Sequence, residues 1–420
     1  MGCTPDSQSN THQALKCQVC GLDNLESVLD LGYQPLCNGF SPVSEANRPQ
    51  VFHPLCLYYC PQCSLVQLGY VLPTRETFGE QYTYLTGSSR SLVDFYDKMA
   101  AAFVARFDLG PGDIVVEIGS NDGTFLKSLQ SHGLNVLGVE GAERASEVAI
   151  EAGIPTLPYF FGKGTSSDVR QHLPPEAEIR LIIAMNVLAH TDNIHDFLPE
   201  VAALMGPNTV FASSSHWLIE LIRQFAFDTI YHEHLRYYTL NSLMKLFERH
   251  GLYITDAEET DFYGGSILGY ASRNPESQSS NLKSLMREER QMDVVQSLRA
   301  MKLVMLGNKT RLLNLLYELK STGKRVVGIG APMKSSTLLN YYGITPDLVE
   351  YLAEVNPLKV GTLAPGVGIP VVDEEIFFKE PPDYALLLSW NMAEYIMPKY
   401  REMGYKGKFI LPVPEPKVIE

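Results

Sequence analysis

The chain has 420 residues, 45% of them hydrophobic, and carries 34 Lys and Arg against 48 Asp and Glu, a net charge of −14. The length exceeds what one core serves and implies two or three domains. The charge argues against a nucleic-acid polymer, whose phosphates need a basic stripe, but leaves room for one small anion held by local lysines. No apolar run approaches the ~20 residues of a membrane span, and Met1-Gly2-Cys3-Thr4-Pro5-Asp6 lacks the regions of a secretory signal, so a cytoplasmic location away from any membrane is expected.

In chain order, the first feature that carries chemistry is a pair of knuckles, Cys17-Gln18-Val19-Cys20 and Cys60-Pro61-Gln62-Cys63; Cys3, Cys37 and Cys56 have no paired spacing. A two-residue spacer lets each knuckle present both sulfurs to one ion while its turn amides face the thiolates. Cys17, Cys20, Cys60 and Cys63 are therefore expected to hold a structural zinc, with a redox dithiol as the competing reading. Four protein ligands leave no place for a catalytic water. The zinc-binding domain, residues 15–72, is too small to fold without its metal. After a linker containing Tyr82 and Tyr84, the recurrence of Leu92, Phe95, Met99 and Phe103 predicts a helix over 91–107.

Residues 73–275 alternate strand and helix signals. Strands are expected at 114–118, 135–140, 181–185 and 209–213, with helices in most of the intervals, the pattern of a parallel doubly wound sheet. The first strand enters the turn Glu117-Ile118-Gly119-Ser120-Asn121-Asp122-Gly123, which departs from G-x-G-x-x-G and lacks the Gly-Lys-Ser/Thr of a phosphate loop. Glu140, about twenty residues further on, ends the next strand, where it is placed to accept hydrogen bonds from ribose hydroxyls. An acidic ribose ligand, close backbone approach and no phosphate cradle fit S-adenosylmethionine, with a nicotinamide dinucleotide as the alternative. The expected cofactor residues are Glu117, Gly119, Asn121, Asp122, Gly123, Glu140, Phe161 and Asn186; Phe160 and Phe161 either flank adenine or pack as core. Downstream, Tyr231-His232-Glu233-His234 gathers two imidazoles, a carboxylate and a phenol, the means for proton transfer beside a cofactor.

Residues 276–420 open with one or two long helices over 281–320, whose Leu and Met stripe reads as a packing seam. The strand pattern then restarts at Arg325-Val326-Val327-Gly328-Ile329-Gly330-Ala331-Pro332, with a helix through Leu338-Leu339-Asn340 and strands at 385–388 and 408–411. The expected fold class is α/β: a small N-terminal zinc-binding domain, a central Rossmann-like methyltransferase domain and a C-terminal Rossmann-like α/β domain.

Several motifs in one order carry a resemblance. They are the paired knuckles, Glu117 to Thr124, Asn186-Val187-Leu188-Ala189-His190, Asp228 to His234, Gly330-Ala331-Pro332-Met333-Lys334, Asn356-Pro357-x-Lys359 and Pro412-Val413-Pro414-Glu415-Pro416. From Cys17 to the C-terminus the chain resembles the S-adenosylmethionine-dependent sugar C-methyltransferases, which act on nucleotide-linked keto-deoxysugars. The resemblance implies that His234 is the general base with Tyr231 and Glu233 beside it, and that Tyr82, Tyr84 and His190 face the reacting sugar. It also implies that Gly330, Lys334 and Lys359 lie near the nucleotide or its diphosphate; a solvated face is the plainer reading of the lysines. His232 is assigned no chemistry. The chain departs from the family at Ser213-Ser214-Ser215-His216-Trp217, where Phe-Glu-Val-Pro-Tyr is common, and at Tyr263 to Leu268, where the family has His-Gly-Gly-Ser-Leu-Arg.

The implied reaction removes a proton next to a ketone and passes a methyl group to the carbon. Such a proton lies roughly ten or more pKa units above an imidazole, so enolate stabilisation must supplement the base, with Tyr82, Tyr84 or His190 as expected donors. The alternatives are methylation of a non-sugar ketone or β-dicarbonyl in natural-product biosynthesis and, from another class, a non-catalytic zinc-containing binding protein. The sequence leaves the oligomeric state open.

Overall fold

The computed structural model describes residues 16–73, 77, 84–175, 177–260, 264–275 and 277–420. Tyr82 and Tyr263 lie outside them.

The centre is a seven-stranded sheet. Its strands are β1 (Ile114–Ile118), β2 (Asn135–Val139), β3 (Thr156–Leu157), β4 (Ile179–Met185), β5 (Val210–His216), β6 (Tyr253–Thr260) and β7 (Ser266–Ser272). They lie in the order β3-β2-β1-β4-β5-β7-β6. The first five are mutually parallel, and β7 is antiparallel to both β5 and β6. Every residue of β1 is buried, as a strand covered by helices on both faces requires, which is why its sequence reads as a nearly unbroken apolar run. Helices Arg90–Arg106 and Thr124–Ser131 cover one face, Tyr96 packing its ring on Phe125 at 4.7 Å. The strand order reverses between β1 and β4, so the crevice beyond their carboxyl ends is where a ligand fits.

β5 runs three residues past its expected end. Ser213, Ser214 and Ser215 have little strand propensity, yet all are buried, and Ser266 to Gly269 of β7 pair with the segment from Ser213 to His216. The ladder overrides the local signal.

A second sheet is antiparallel and holds four strands in the order Glu26–Pro35, Phe52–Tyr59, Val66–Leu68 and Arg236–Tyr237. Its last strand comes from much further along the sequence, two residues after His234, with Arg236 opposite Gln67 and Tyr237 opposite Val66. The third sheet has six strands in the order Val371–Asp373, Leu352–Glu354, Val326–Ile329, Tyr384–Leu387, Lys408–Leu411 and Lys417–Ile419, parallel except for the last.

Two helices, Ser280–Glu289 and Val294–Ser321, connect the second and third regions. The longer one buries Leu298, Met301, Met305, Leu312 and Leu316 at three-, four- and seven-residue steps, so its stripe is a seam. One apolar cluster runs through all three sheets, from Leu57 and Val66 through Ile182 and Phe247 to Leu312 and Ile410.

Candidate active site

At the cofactor turn the chain leaves β1 with Gly119 at φ +71° and Asn121 at φ +49°, left-handed backbone that brings the main chain round to face β2. A Cβ on Gly119 would stand 2.5 Å from Cγ2 of Val187. Glu140, just past β2, accepts from Asn121 N at 2.8 Å and Ala142 N at 2.7 Å. Its carboxylate is thus held across the turn with lone pairs to spare. Glu117 is buried, and its Oε2 has no hydrogen-bond partner among the described residues. Burial, with Glu140 and Asp122 nearby, pushes the Glu117 carboxyl well above the usual range. A buried carboxyl without a partner beside an open turn is what a ligand with hydroxyl or amino groups would satisfy, so these residues fit S-adenosylmethionine.

Two expected cofactor residues face elsewhere. Asp122 accepts from Thr124 N and Oγ1 at the start of the following helix and from Gly87 N at 2.7 Å, while a Cβ on Gly123 would meet Ile154 and Ala149. They shape the turn without lining the crevice, because the chain at this point is already entering the helix. Asn121 also holds Tyr84 and Thr86, through Tyr84 O at 3.2 Å and Thr86 N at 2.8 Å.

The four knuckle sulfurs lie within 4.8 Å of one another, with Cys17 to Cys63 at 3.4 Å and Cys20 to Cys60 at 3.5 Å. Tetrahedral zinc at about 2.3 Å per bond would separate its thiolates by about 3.8 Å, so the donor set fits one zinc and closes it off. The amides of Val19 and Cys20 point at Cys17 Sγ, both at 3.4 Å.

The proton-transfer cluster stands between two sheets. His234 is buried, with Nδ1 facing Thr229 O at 2.8 Å and Nε2 facing the Tyr231 hydroxyl at 3.0 Å. A carbonyl at Nδ1 requires that nitrogen to carry the hydrogen, which leaves Nε2 the lone pair. Burial holds His234 well below its ordinary pKa, and His216 and His190 add to the effect. His190 is arranged alike: Nδ1 donates to Glu233 O at 2.8 Å, and burial brings its pKa down to about 4. A neutral His190 in that tautomer presents Nε2 as an acceptor.

Glu233 is not the partner of the His234 ring. Its Oε1 accepts from Cys37 Sγ at 3.2 Å, and burial pushes its carboxyl up to about 7 against the pull of Cys37 and Lys359. His232 turns away to Pro54 O at 3.2 Å.

One cavity of about 1080 Å³ joins these parts. Glu117, Gly119, Asn121, Glu140, Phe160, Phe161 and Asn186 line one end, and Tyr84, His190, Tyr231, Glu233 and His234 its middle. Gly330, Lys334 and Lys359 line the other end. Phe161 packs edge-on against Phe197 at 5.1 Å, so it is both core and lining. Lys334 donates to Asn391 Oδ1 at 2.5 Å and lies 4.1 Å over the Trp390 ring, and burial brings its pKa down to about 8. Lys359 is buried and donates to Ala331 O at 2.9 Å. The solvated-face reading of both lysines falls.

Two lining residues were not singled out from the sequence. His216 ends β5, its ring 4.8 Å from that of His234. Glu354 ends the strand after Gly330 and accepts from Ala331 N at 2.7 Å, Val355 N at 2.8 Å and Asn356 N at 3.0 Å. Both stand at carboxyl ends of parallel strands, the position that could have found them.

A parallel sheet closed by an antiparallel hairpin, with a carboxylate after β2 and no phosphate loop, defines a methyltransferase core, and residues 90–257 match the family model described as a methyltransferase domain. Residues 17–78 match a zinc binding domain and residues 261–414 a C-methyltransferase C-terminal domain. The C-methyltransferase NovU of Streptomyces niveus is 32% identical over 412 residues, 96% of each chain. The chain belongs to the C-methyltransferase family that includes NovU and is an S-adenosylmethionine-dependent C-methyltransferase. Among solved structures, an S-adenosylmethionine-dependent methyltransferase from Aquifex aeolicus matches at 16% identity over 43% of this chain and 97% of that one, with a TM-score of 0.32. Magnesium protoporphyrin IX methyltransferase from Synechocystis, with bound SAH, matches at 18% over 43% and 83%, also at 0.32.

Proposed function

We propose that the chain methylates the carbon next to the ketone of a nucleoside-diphosphate-linked keto-deoxysugar, with His234 as the base. The supporting observation is the single cavity that runs from one glycine turn to the other past the His234 cluster. When bound at the first turn, S-adenosylmethionine supplies an electrophilic methyl group. The proposed division is 15–72 for zinc, 73–275 for cofactor and base, and 276–420 for the nucleotide.

The second turn repeats the design of the first. Gly330 is left-handed at φ +79°, the helix Met333–Tyr342 starts beside it, and Glu354 is gripped by amides as Glu140 is. A helix N-terminus with Lys334 suits a diphosphate, and Glu354 suits a ribose. At the centre, substrate displaces the Tyr231 hydroxyl from His234 Nε2, which frees the lone pair for the α-proton and turns the phenol towards the substrate. NovU, a C-methyltransferase, adds support at the level of the whole chain.

Competition by free nucleoside diphosphates against methyl transfer tests the reading. Inhibition in the micromolar to low millimolar range, weakened by salt and by Glu354→Gln, is expected. No inhibition at millimolar concentration would sink the nucleotide reading in favour of a non-sugar ketone.

A further inference from the structure

We infer that Trp390 and Asp228 are positioning residues for Lys334: the indole face seats the ammonium on the cavity wall, and the carboxylate behind the indole supplies the counter-charge that keeps it protonated. The inference rests on the role proposed above for Lys334 towards the diphosphate of the substrate.

Three elements meet at this point. Lys334 stands in the first turn of helix Met333–Tyr342. Trp390 opens the short turn Trp390–Met392, just beyond the strand Tyr384–Leu387, which pairs in parallel with the strand leading to Gly330. Asp228 comes from the middle of the chain, in the turn Phe227–Thr229, three residues before Tyr231 and the base cluster. Lys334 Nζ lies 4.1 Å from the centre of the indole and donates to Asn391 Oδ1 at 2.5 Å, and Trp390 Nε1 donates to Asp228 Oδ2 at 2.7 Å. The order is cation, ring, anion.

Each member supports the others. Asp228 is fully buried, and a carboxylate out of water is costly unless a donor and a counter-charge answer it. Trp390 gives the donor and Lys334 the charge, and both hold the carboxyl down against the upward push of burial. In return, burial pulls Lys334 towards the neutral amine and Asp228 opposes that pull. An indole is the best ring for seating a cation, and an N–H given to an anion polarises it further in that sense. An ammonium has three donors, so with one on Asn391 the seated group still has donors for a phosphate oxygen. Other titratable groups stand near. His216, at the end of β5, shares a small recess with Lys334 and is held by burial to about 4, so it is neutral where Lys334 titrates. Glu354 and Lys359 also line the cavity and answer each other's charge.

The test uses the full zinc-loaded protein. Lys334 is labelled with trace acetic anhydride across the pH range, and mass spectrometry gives the midpoint of its reactivity in wild type, Asp228→Asn and Trp390→Phe. Asp228→Asn keeps an oxygen for the indole N–H and removes the charge, so the midpoint should fall by about one pH unit or more. Trp390→Phe keeps a face for the cation but cuts the link to Asp228, and its midpoint should fall by less. Calorimetry then follows uridine diphosphate binding with S-adenosylhomocysteine in the cofactor site. Relative to wild type, Asp228→Asn should weaken it about twofold at pH 7 and about tenfold at pH 9, because the amine loses its proton earlier. Adding Lys334→Arg to Asp228→Asn should restore binding at pH 9, since a guanidinium keeps its charge. A midpoint in Asp228→Asn that matches wild type would overturn the inference, and so would equal losses at both pH values that Lys334→Arg does not rescue. A midpoint that moves as expected in a protein that binds no uridine diphosphate would uphold the seat of Lys334 and count against the nucleotide reading instead, a separable outcome.

Discussion

His232 and His234 are two residues apart and face opposite ways, His234 into the cavity and His232 onto Pro54 of the zinc-side sheet. Both are buried, and burial brings His232 down to about 4 from 6.5. Its ring is neutral in the folded chain and takes a proton on unfolding anywhere between those values. Its contribution to stability is therefore complete above pH 6.5 and lost as the pH falls towards 4. His232→Asn keeps a donor for Pro54 O but does not titrate, so proton uptake on unfolding should fall by about one in that window. Urea unfolding midpoints measured from pH 4 to 7 would show this as a shallower slope, and an unchanged slope would mean that the ring is already solvated. What the sequence hid at this scale follows the same physics. The tetrapeptide is legible as proton-transfer chemistry, whereas the tautomer of His190 depends on a carbonyl at Glu233, well downstream, that no local pattern reveals. Cys37 beside Glu233 is hidden for the same reason.

At the scale of elements, the parallel strands and the first glycine turn are legible because a strand buried on both faces must be apolar and a left-handed turn must use residues that tolerate it. The extension of β5 through three serines and the two-residue strand Arg236–Tyr237 are not, since each exists only through a partner far along the chain. Gly119 illustrates the legible kind. Gly119→Ala puts a methyl group against Val187 in a backbone conformation unfavourable by roughly 1–2 kcal/mol, so S-adenosylmethionine affinity should drop at least tenfold in calorimetry while Tm falls by only a few degrees. Unchanged affinity would move the cofactor elsewhere. The short strand carries a different prediction. It starts two residues after His234 and is the last strand of the four-stranded antiparallel sheet, and Arg236 grips Leu188 O, Thr191 O and Asp192 O around His190. Stripping zinc should therefore abolish methyl transfer although the metal touches no reactant, and cofactor binding at β1 and β2 should persist longer. Metal content, turnover and cofactor affinity measured along one chelator titration would separate the two, and full activity in metal-free protein would break the link.

For the whole molecule, the shared apolar cluster makes the three sheets one mechanical body. Thr362–Leu363 of the last region pairs with Ser41–Pro42 of the first, and helix Val294–Ser321 seals its buried stripe against both. Calorimetry of the zinc-loaded chain should show one main unfolding transition, because no region can release its share of the cluster without uncovering another. Three well-separated transitions would refute this.

The cavity has a last consequence. Its two ends are built alike, each a left-handed glycine beside a carboxylate gripped by main-chain amides, with the reacting centre between them. On the reading proposed here, a compound that links an adenosine to a second nucleoside diphosphate through a spacer of matched length would engage both ends at once. The second attachment would then be intramolecular, at an effective concentration in the millimolar range, and could raise affinity up to 10²–10⁴-fold above either half alone. The architecture that brings two substrates together is thus also a template for a single bivalent inhibitor.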